Sequence, residues 1–230
     1  MTLNDLFTIL PVLILVAWAI LLLVADLFVP RGRKGITAML AALGLAASLG
    51  ASLALTGRSE LQPGFGCMAI LDGFASFASI LILASGLLGV GLSFDYLRRI
   101  GIERGEYYVL LLVSTAGMLL MVQACDLILI FLALELISIP LYVLAGFAHP
   151  EGRSLEAALK YFLLGTFASA FFLYGVALVY GASGATSLPA VVEVIRAGGT
   201  VGSSSGGLSA HSGLLLVGAG NRSENTQATS

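Results

Sequence analysis

Two ionisable residues in this chain stand inside apolar sequence, and both have the chemistry to carry a proton. Glu135 lies within DLILIFLALELISIPLYVLAGF and Lys160 within SLEAALKYFLLGTFASAFFLYGVALVY. A charge at the centre of a membrane helix costs about 2.5–3.5 kcal/mol on insertion scales, so a charge kept there points to a relay, an ion path or a buried pair. At helical spacing Glu135 shares a face with Ser138 and Tyr142, which draws a polar stripe from mid-helix toward one surface. Pro140 lacks an N–H and its ring clashes with the carbonyl of Leu136, predicting a kink one turn from the carboxylate. A carbonyl freed in lipid needs water or a side chain, and a hydrated proton path supplies both. Two plainer readings stay open: the charges snorkel or bond to backbone, and the kink serves packing alone.

Such residues require a membrane frame, and the composition provides one. Of 230 residues, 58% are hydrophobic and 10% charged, against about 25% charged in a soluble domain. Mean hydropathy is +1.02. The expected class is an all-α integral membrane protein with the lipid bilayer as its surroundings. A net charge of −2 gives no basic footprint for nucleic acid, so no nucleic-acid partner is expected. Cys67 and Cys125 form neither a CxxC motif nor a disulfide framework; Cys125 reads as a small apolar filler and Cys67 as a loop or interface residue. The sequence holds no cysteine cluster, no GxGxxG and no Walker loop. His149 and His211 fall in separate connecting regions and make a poor haem pair. No cofactor or metal is therefore expected in this chain.

Apolar length predicts six spans. The first covers residues 6–29, with Asp5 ahead of it and Arg31, Arg33 and Lys34 behind, the reverse of a signal peptide. Asp26 in its last turn is either an interfacial group reaching headgroup water or a contact to a neighbouring helix or subunit. The second, 36–56, repeats Gly44, Ser48 and Ser52 at four-residue intervals, which permits close helix approach. The third, 71–94, begins near Asp72, read as a cap. A charged connection, DYLRRIGIERGE, leads to the fourth at 107–123. Only a short turn separates that span from the fifth, so the two form a hairpin. Asp126 reads first as the N-cap of the fifth span, with a place at a pathway mouth as the alternative.

The sixth span starts at a predicted Ser154 N-cap and ends near Tyr180. Lys160 then lies about 9 Å deep and Glu135 about 18 Å deep from the same surface, which favours a water-linked pair over a direct salt bridge. Both charged faces are expected to point into the bundle. Lys and Arg counts put the surface bearing Arg98, Arg99, Arg104 and Arg153 in the cytoplasm, and Arg58 and Arg196 outside. Beyond Gly181 the chain turns Gly- and Ser-rich; residues 189–197 could form a short surface helix. Residues 208–220 are apolar again but too few to span, and a polar tail, NRSENTQATS, follows.

The run GEYYVLLLVSTAGMLLMVQACDLILIFLALELISIPLYVLAGF, followed by RSLEAALKYFLLGTFASAFFLYGVALVYGASG, resembles the antiporter-like subunit N of the proton-pumping NADH:quinone oxidoreductase, respiratory complex I. The likeness is detailed over 105–184 and looser over 1–104. It implies that Glu135 matches the glutamate of the fifth helix and Lys160 the lysine of the sixth, both in a proton relay. It also implies a cell-membrane location in a bacterium and other membrane subunits of complex I as partners. NADH, FMN, iron–sulfur clusters and quinone would be held by other subunits, which makes this chain a non-redox part of the translocase. Three segments follow from this reading: helices one to three with their cytoplasmic loop (1–104), the relay-bearing core (105–184), and a flexible loop with an incomplete seventh spanning helix and an atypical tail (185–230). The likeness is expected to stop near Gly220, short of the family's seventh helix and its inverted second half. A related reading is a subunit of a multi-subunit cation/proton antiporter. A third is an inactive shortened form of the parent subunit.

Overall fold

The computed structural model describes residues 3–28, 35–56, 62–64, 68–100, 104–147 and 152–196. Six long helices run antiparallel: α1 (Leu3–Phe28), α2 (Gly35–Leu55), α3 (Gly73–Ile100), α4 (Glu106–Gln123), α5 (Leu127–Ala145) and α6 (Gly152–Ser183). A short amphipathic helix, α7 (Leu188–Arg196), follows. All six long helices are apolar and long enough to cross a membrane. The surface helix expected at 189–197 is thus present. Cys67, His149, His211, the 208–220 run and the polar tail lie outside the described residues.

Helices α1 to α4 enclose the core, with Leu15, Leu22, Leu45, Leu83, Leu112 and Leu119 wholly buried. Lipid tails are as apolar as leucine, so close packing and internal hydrogen bonds must hold such helices together. The predicted small-residue stripe of α2 does this. Gly44, Ser48 and Ser52 are buried. The Trp18 ring lies directly on Gly44, leaving no room for a side chain there. Trp18 Nε1 donates to Leu40 O at 2.8 Å, and Ser48 Oγ donates to Pro11 O at 3.0 Å.

Asp26 is a contact to neighbouring helices. Its Oδ1 accepts from Thr37 Oγ1 of α2 at 3.1 Å, and its carboxylate rests on Gly105 beside the first turn of α4, where the positive end of the helix dipole favours it. Phe94 packs on Gly35, and Tyr107 on Phe147 with centroids 5.4 Å apart. These contacts gather the Gly35, Arg98 and Arg104 surfaces at one end of the bundle, as the alternating spans require.

The third helix departs from its predicted boundary, running through Ile100 rather than stopping near Phe94. Its extra turns are charged, and Arg99 pairs with Asp95 at 2.8 Å; i,i+4 pairing lets a helix continue into water after its apolar run has ended. Asp72 caps its start, accepting from the Ala75 amide at 2.6 Å. The connection before it holds an unpredicted antiparallel pair, β1 (Gln62–Gly64) with β2 (Ala69–Leu71).

Candidate proton-relay site

Helix α5 is set in place from three directions. At its start, the extended residues Ala124 to Asp126 are bound along both edges. Ala69 bridges Ala124, and Asp126 bridges Ser187. The Cys125 amide donates to Met68 O at 2.7 Å, while Cys125 O accepts from the Leu188 amide at 3.0 Å. Cys125 is half-buried, and its backbone joins Met68, next to β2, to the start of α7. Asp126 is the predicted N-cap: Oδ1 accepts from the Ile128 amide at 2.9 Å and Oδ2 from Thr186 Oγ1 at 2.7 Å. The residue is 2% exposed.

Loss of an N-cap carboxylate costs about 0.5–2 kcal/mol. Asp126→Ala also strands the Thr186 hydroxyl, so its thermal midpoint in detergent is expected to fall clearly. Asp126→Asn, which keeps a cap, is expected to fall less; equal midpoints for the two would refute the capping role.

Along its length α5 lies directly on α4 at Gly117. A methyl group on Gly117 would stand 2.9 Å from the Ile137 amide nitrogen and 3.0 Å from the Leu136 carbonyl carbon. Backbone touches backbone there, beside Glu135. Pro140 lies within α5 and is buried, and without an N–H it leaves Leu136 O short of its helical donor.

The opposite stripe of α5 faces α6. Phe131 stacks on Phe172 with centroids 6.2 Å apart, and Tyr142 meets Tyr161 edge-on at 4.8 Å. The Tyr142 hydroxyl reaches onto Gly165, where any side chain would displace it. These ring contacts fix an antiparallel register in which Glu135 stands level with Ala168 and Ser138 with Gly165. Glu135 is half-buried in this seam, between the two aromatic contacts. Its Oε1 is enclosed and has no hydrogen-bond partner among the described residues. Of the predicted stripe, Glu135 and Ser138 are half-buried and Tyr142 is buried.

Lys160 departs from expectation. In the same register it stands level with Val143, eight residues from the level of Glu135, an axial offset of about 12 Å. It stands near the end of α5, about 6 Å rather than 9 Å deep on the scale that puts Glu135 at about 18 Å. The difference arises because α6 begins at Gly152 and its first six residues lie beyond the level of Ala145, where α5 ends; Ser154 is no N-cap, and its hydroxyl donates to Ala145 O at 2.8 Å, tying α6 to the end of α5. Nor does the lysine point into the described bundle. Its side chain is 70% exposed and pairs with Glu156 one turn earlier at 2.5 Å. A cation near the end of a span reaches water by its flexible stem, which removes the need for a buried partner.

Sequence reasoning passed over Gly117, Gly165 and the half-buried Ser169, one residue beyond the level of Glu135. A signal existed for the last two. Ala158, Gly165 and Phe172 recur every seven residues, as do Phe162, Ser169 and Val176, which is the spacing of a helix seam. Among the described residues no group of three or more His, Cys, Asp or Glu is placed to hold a metal.

Six apolar helices of spanning length, with one carboxylate half-buried in the α5–α6 seam, define a multi-pass helical membrane protein. In agreement, the family model described as "NADH:quinone oxidoreductase/Mrp antiporter, TM" matches residues 124–226, past Gly220 and into the tail expected to fall outside the family. NADH-quinone oxidoreductase subunit N of Chloroflexus aggregans is 46% identical over 185 residues, covering 80% of this chain and 37% of the relative. Subunit N 2 of Roseiflexus castenholzii is 46% identical over 182 residues, covering 79% and 36%. In the solved structures, respiratory complex I from Thermus thermophilus with bound aureothin contains a chain that superposes with a TM-score of 0.68 at 36% identity, covering 90% of this chain and 42% of that one. An archaeal membrane-bound sulfane sulfur reductase shares the fold, with a TM-score of 0.67 at 22% identity, covering 84% and 40%.

This chain is a homologue of the amino-terminal part of NADH-quinone oxidoreductase subunit N, and spans a little over a third of the length of the curated relatives it matches. With its six apolar helices, it is a multi-pass protein of the bacterial plasma membrane.

Proposed function

We propose that this sequence supplies the six-span amino-terminal part of a proton-translocating membrane subunit of NADH:quinone oxidoreductase. The observation that carries the reading is Glu135: a carboxylate at the middle of a spanning helix, in a helix seam, with one oxygen enclosed and without a hydrogen-bond partner among the described residues. Such a group can take up and release a proton. The protein around it supplies a fixed position through Gly117 and the Asp126 crossing, and the polar side chains of Ser138 and Tyr142 continue from it toward one surface. Moving one charge through 100 mV costs about 2.3 kcal/mol, so the relay needs an energy source. Quinone reduction by NADH in partner subunits, which would hold FMN, iron–sulfur clusters and quinone, is that source. The chain itself is non-redox. Lys160, paired with Glu156 at the Arg98 end, serves the cytoplasmic mouth of the path rather than the midplane. The subunit N relatives favour this assignment over a separate cation/proton antiporter.

The test is infrared difference spectroscopy of assembled membranes between the oxidised and the NADH-reduced state. A carboxylic-acid band that shifts in D2O and vanishes in Glu135→Gln is expected. An unchanged band in Glu135→Gln would remove Glu135 from the relay.

A further inference from the structure

Away from the α5–α6 seam, a second polar cluster lies inside the α1–α4 body. Gln123, the last residue of α4, is 1% exposed; Ser79 of α3 is 1% and Ser52 of α2 is 5% exposed. Both polar atoms of the Gln123 amide and both serine hydroxyls are enclosed, with no hydrogen-bond partner among the described residues. Among the described residues, Glu135 Oε1 is the other side-chain atom in that condition. The three side chains line one cavity, with Pro11, Leu55, Leu71 and Ser76 completing its wall. About 10 Å³ is open to the centre of a water-sized sphere, which is close to the space one water molecule needs.

Four buried polar atoms left unsatisfied are costly, at about 1–3 kcal/mol each. A water bound by two to four such groups removes that cost. No Asp or Glu lines the cavity, so nothing there would offset the charge of a bare cation. The geometry points to a dedicated internal water site, in which one ordered water molecule accepts from the Gln123 amide nitrogen or a serine hydroxyl and donates to the Gln123 carbonyl oxygen and a second hydroxyl. This water joins α2, α3 and the end of α4. Gln123 immediately precedes the Ala124–Asp126 crossing from which α5 starts, so the site holds the base of the hairpin that carries Glu135 on its far arm.

A crystal structure of the full chain in a lipidic mesophase, at a resolution that displays ordered solvent, tests the site. A solvent peak within hydrogen-bond distance of the Gln123 amide and at least one of Ser52 and Ser79 is expected, and it should be lost in Gln123→Met, which keeps chain length and removes the amide. A wild-type cavity in which Gln123 and the serines bond one another without solvent would overturn the proposal, as would a peak that persists unchanged in Gln123→Met. If that variant does not fold, the wild-type map decides alone.

Discussion

In the assembled translocase, Glu135→Gln is expected to depress NADH-driven quinone reduction and proton uptake together, by roughly tenfold or more, equivalent to adding about 1.4 kcal/mol or more to the limiting step. Glutamine nearly preserves the shape of the side chain and its place in the α5–α6 seam, so assembled protein should remain near the wild-type amount. What is lost is the ability to bind and release a proton at the middle of the span. Glu135→Asp keeps a carboxylate set back by one methylene and is expected to retain part of the activity. Lys160→Ala is expected to be mild. Its ammonium group pairs with Glu156 on an exposed face, and exposed pairs contribute about 0–1 kcal/mol. Paired measurements of quinone reduction and proton uptake in membranes decide the matter: wild-type rate and proton yield in Glu135→Gln would make Glu135 a tolerated buried polar residue.

Gly117→Val is expected to damage the same site without touching its chemistry. Any Cβ at Gly117 meets backbone atoms of Leu136 and Ile137, and backbone within a helix cannot rotate aside as a side chain can. The α4–α5 pair must separate, or α5 must slide, and overpacking of this kind costs about 1–3 kcal/mol. Because Glu135 is the residue next to Leu136, its carboxylate moves with that displacement. The expected result is a lower thermal midpoint in detergent together with reduced turnover in the assembled enzyme. Gly91→Ala provides the contrast. A methyl group there meets nothing within 4 Å, and exchanging Gly for Ala in a helix should leave stability equal or improved. Equal midpoints for Gly117→Val and Gly91→Ala would show that the α4–α5 contact is slack.

The sequence by itself determined the class, the six spans and the mid-span position of the Glu135 carboxylate. Apolar runs of spanning length can be read without any knowledge of neighbours, because each spanning helix must satisfy its own backbone within lipid. The caps at Asp72 and Asp126 were legible for a related reason: a cap bonds to amides two or three residues away, within the same short stretch of chain. Glu135 was visible because its cost is set by the membrane rather than by any one partner. Asp26 was left between two readings, since only its neighbours Thr37 and Gly105 could choose between them.

Only the tertiary structure decided how far apart Glu135 and Lys160 stand. Their depths were counted from helix ends, and the end of α6 was misplaced because the Ser154 hydroxyl looks like a cap in sequence but bonds to Ala145 O across the turn. The sliding register of α5 on α6 is fixed by ring contacts between residues about twenty to forty positions apart, at Phe131–Phe172 and Tyr142–Tyr161. The role of Gly117 was hidden for the same reason. A glycine within an apolar run announces a close approach but not which helix makes it, and that depends on how two separate surfaces interlock. The bundling of Gln123 with Ser52 and Ser79 draws on three helices at once, so no local pattern could announce it. Local energetics wrote the elements and the costly carboxylate into the sequence; the distances between them came from packing.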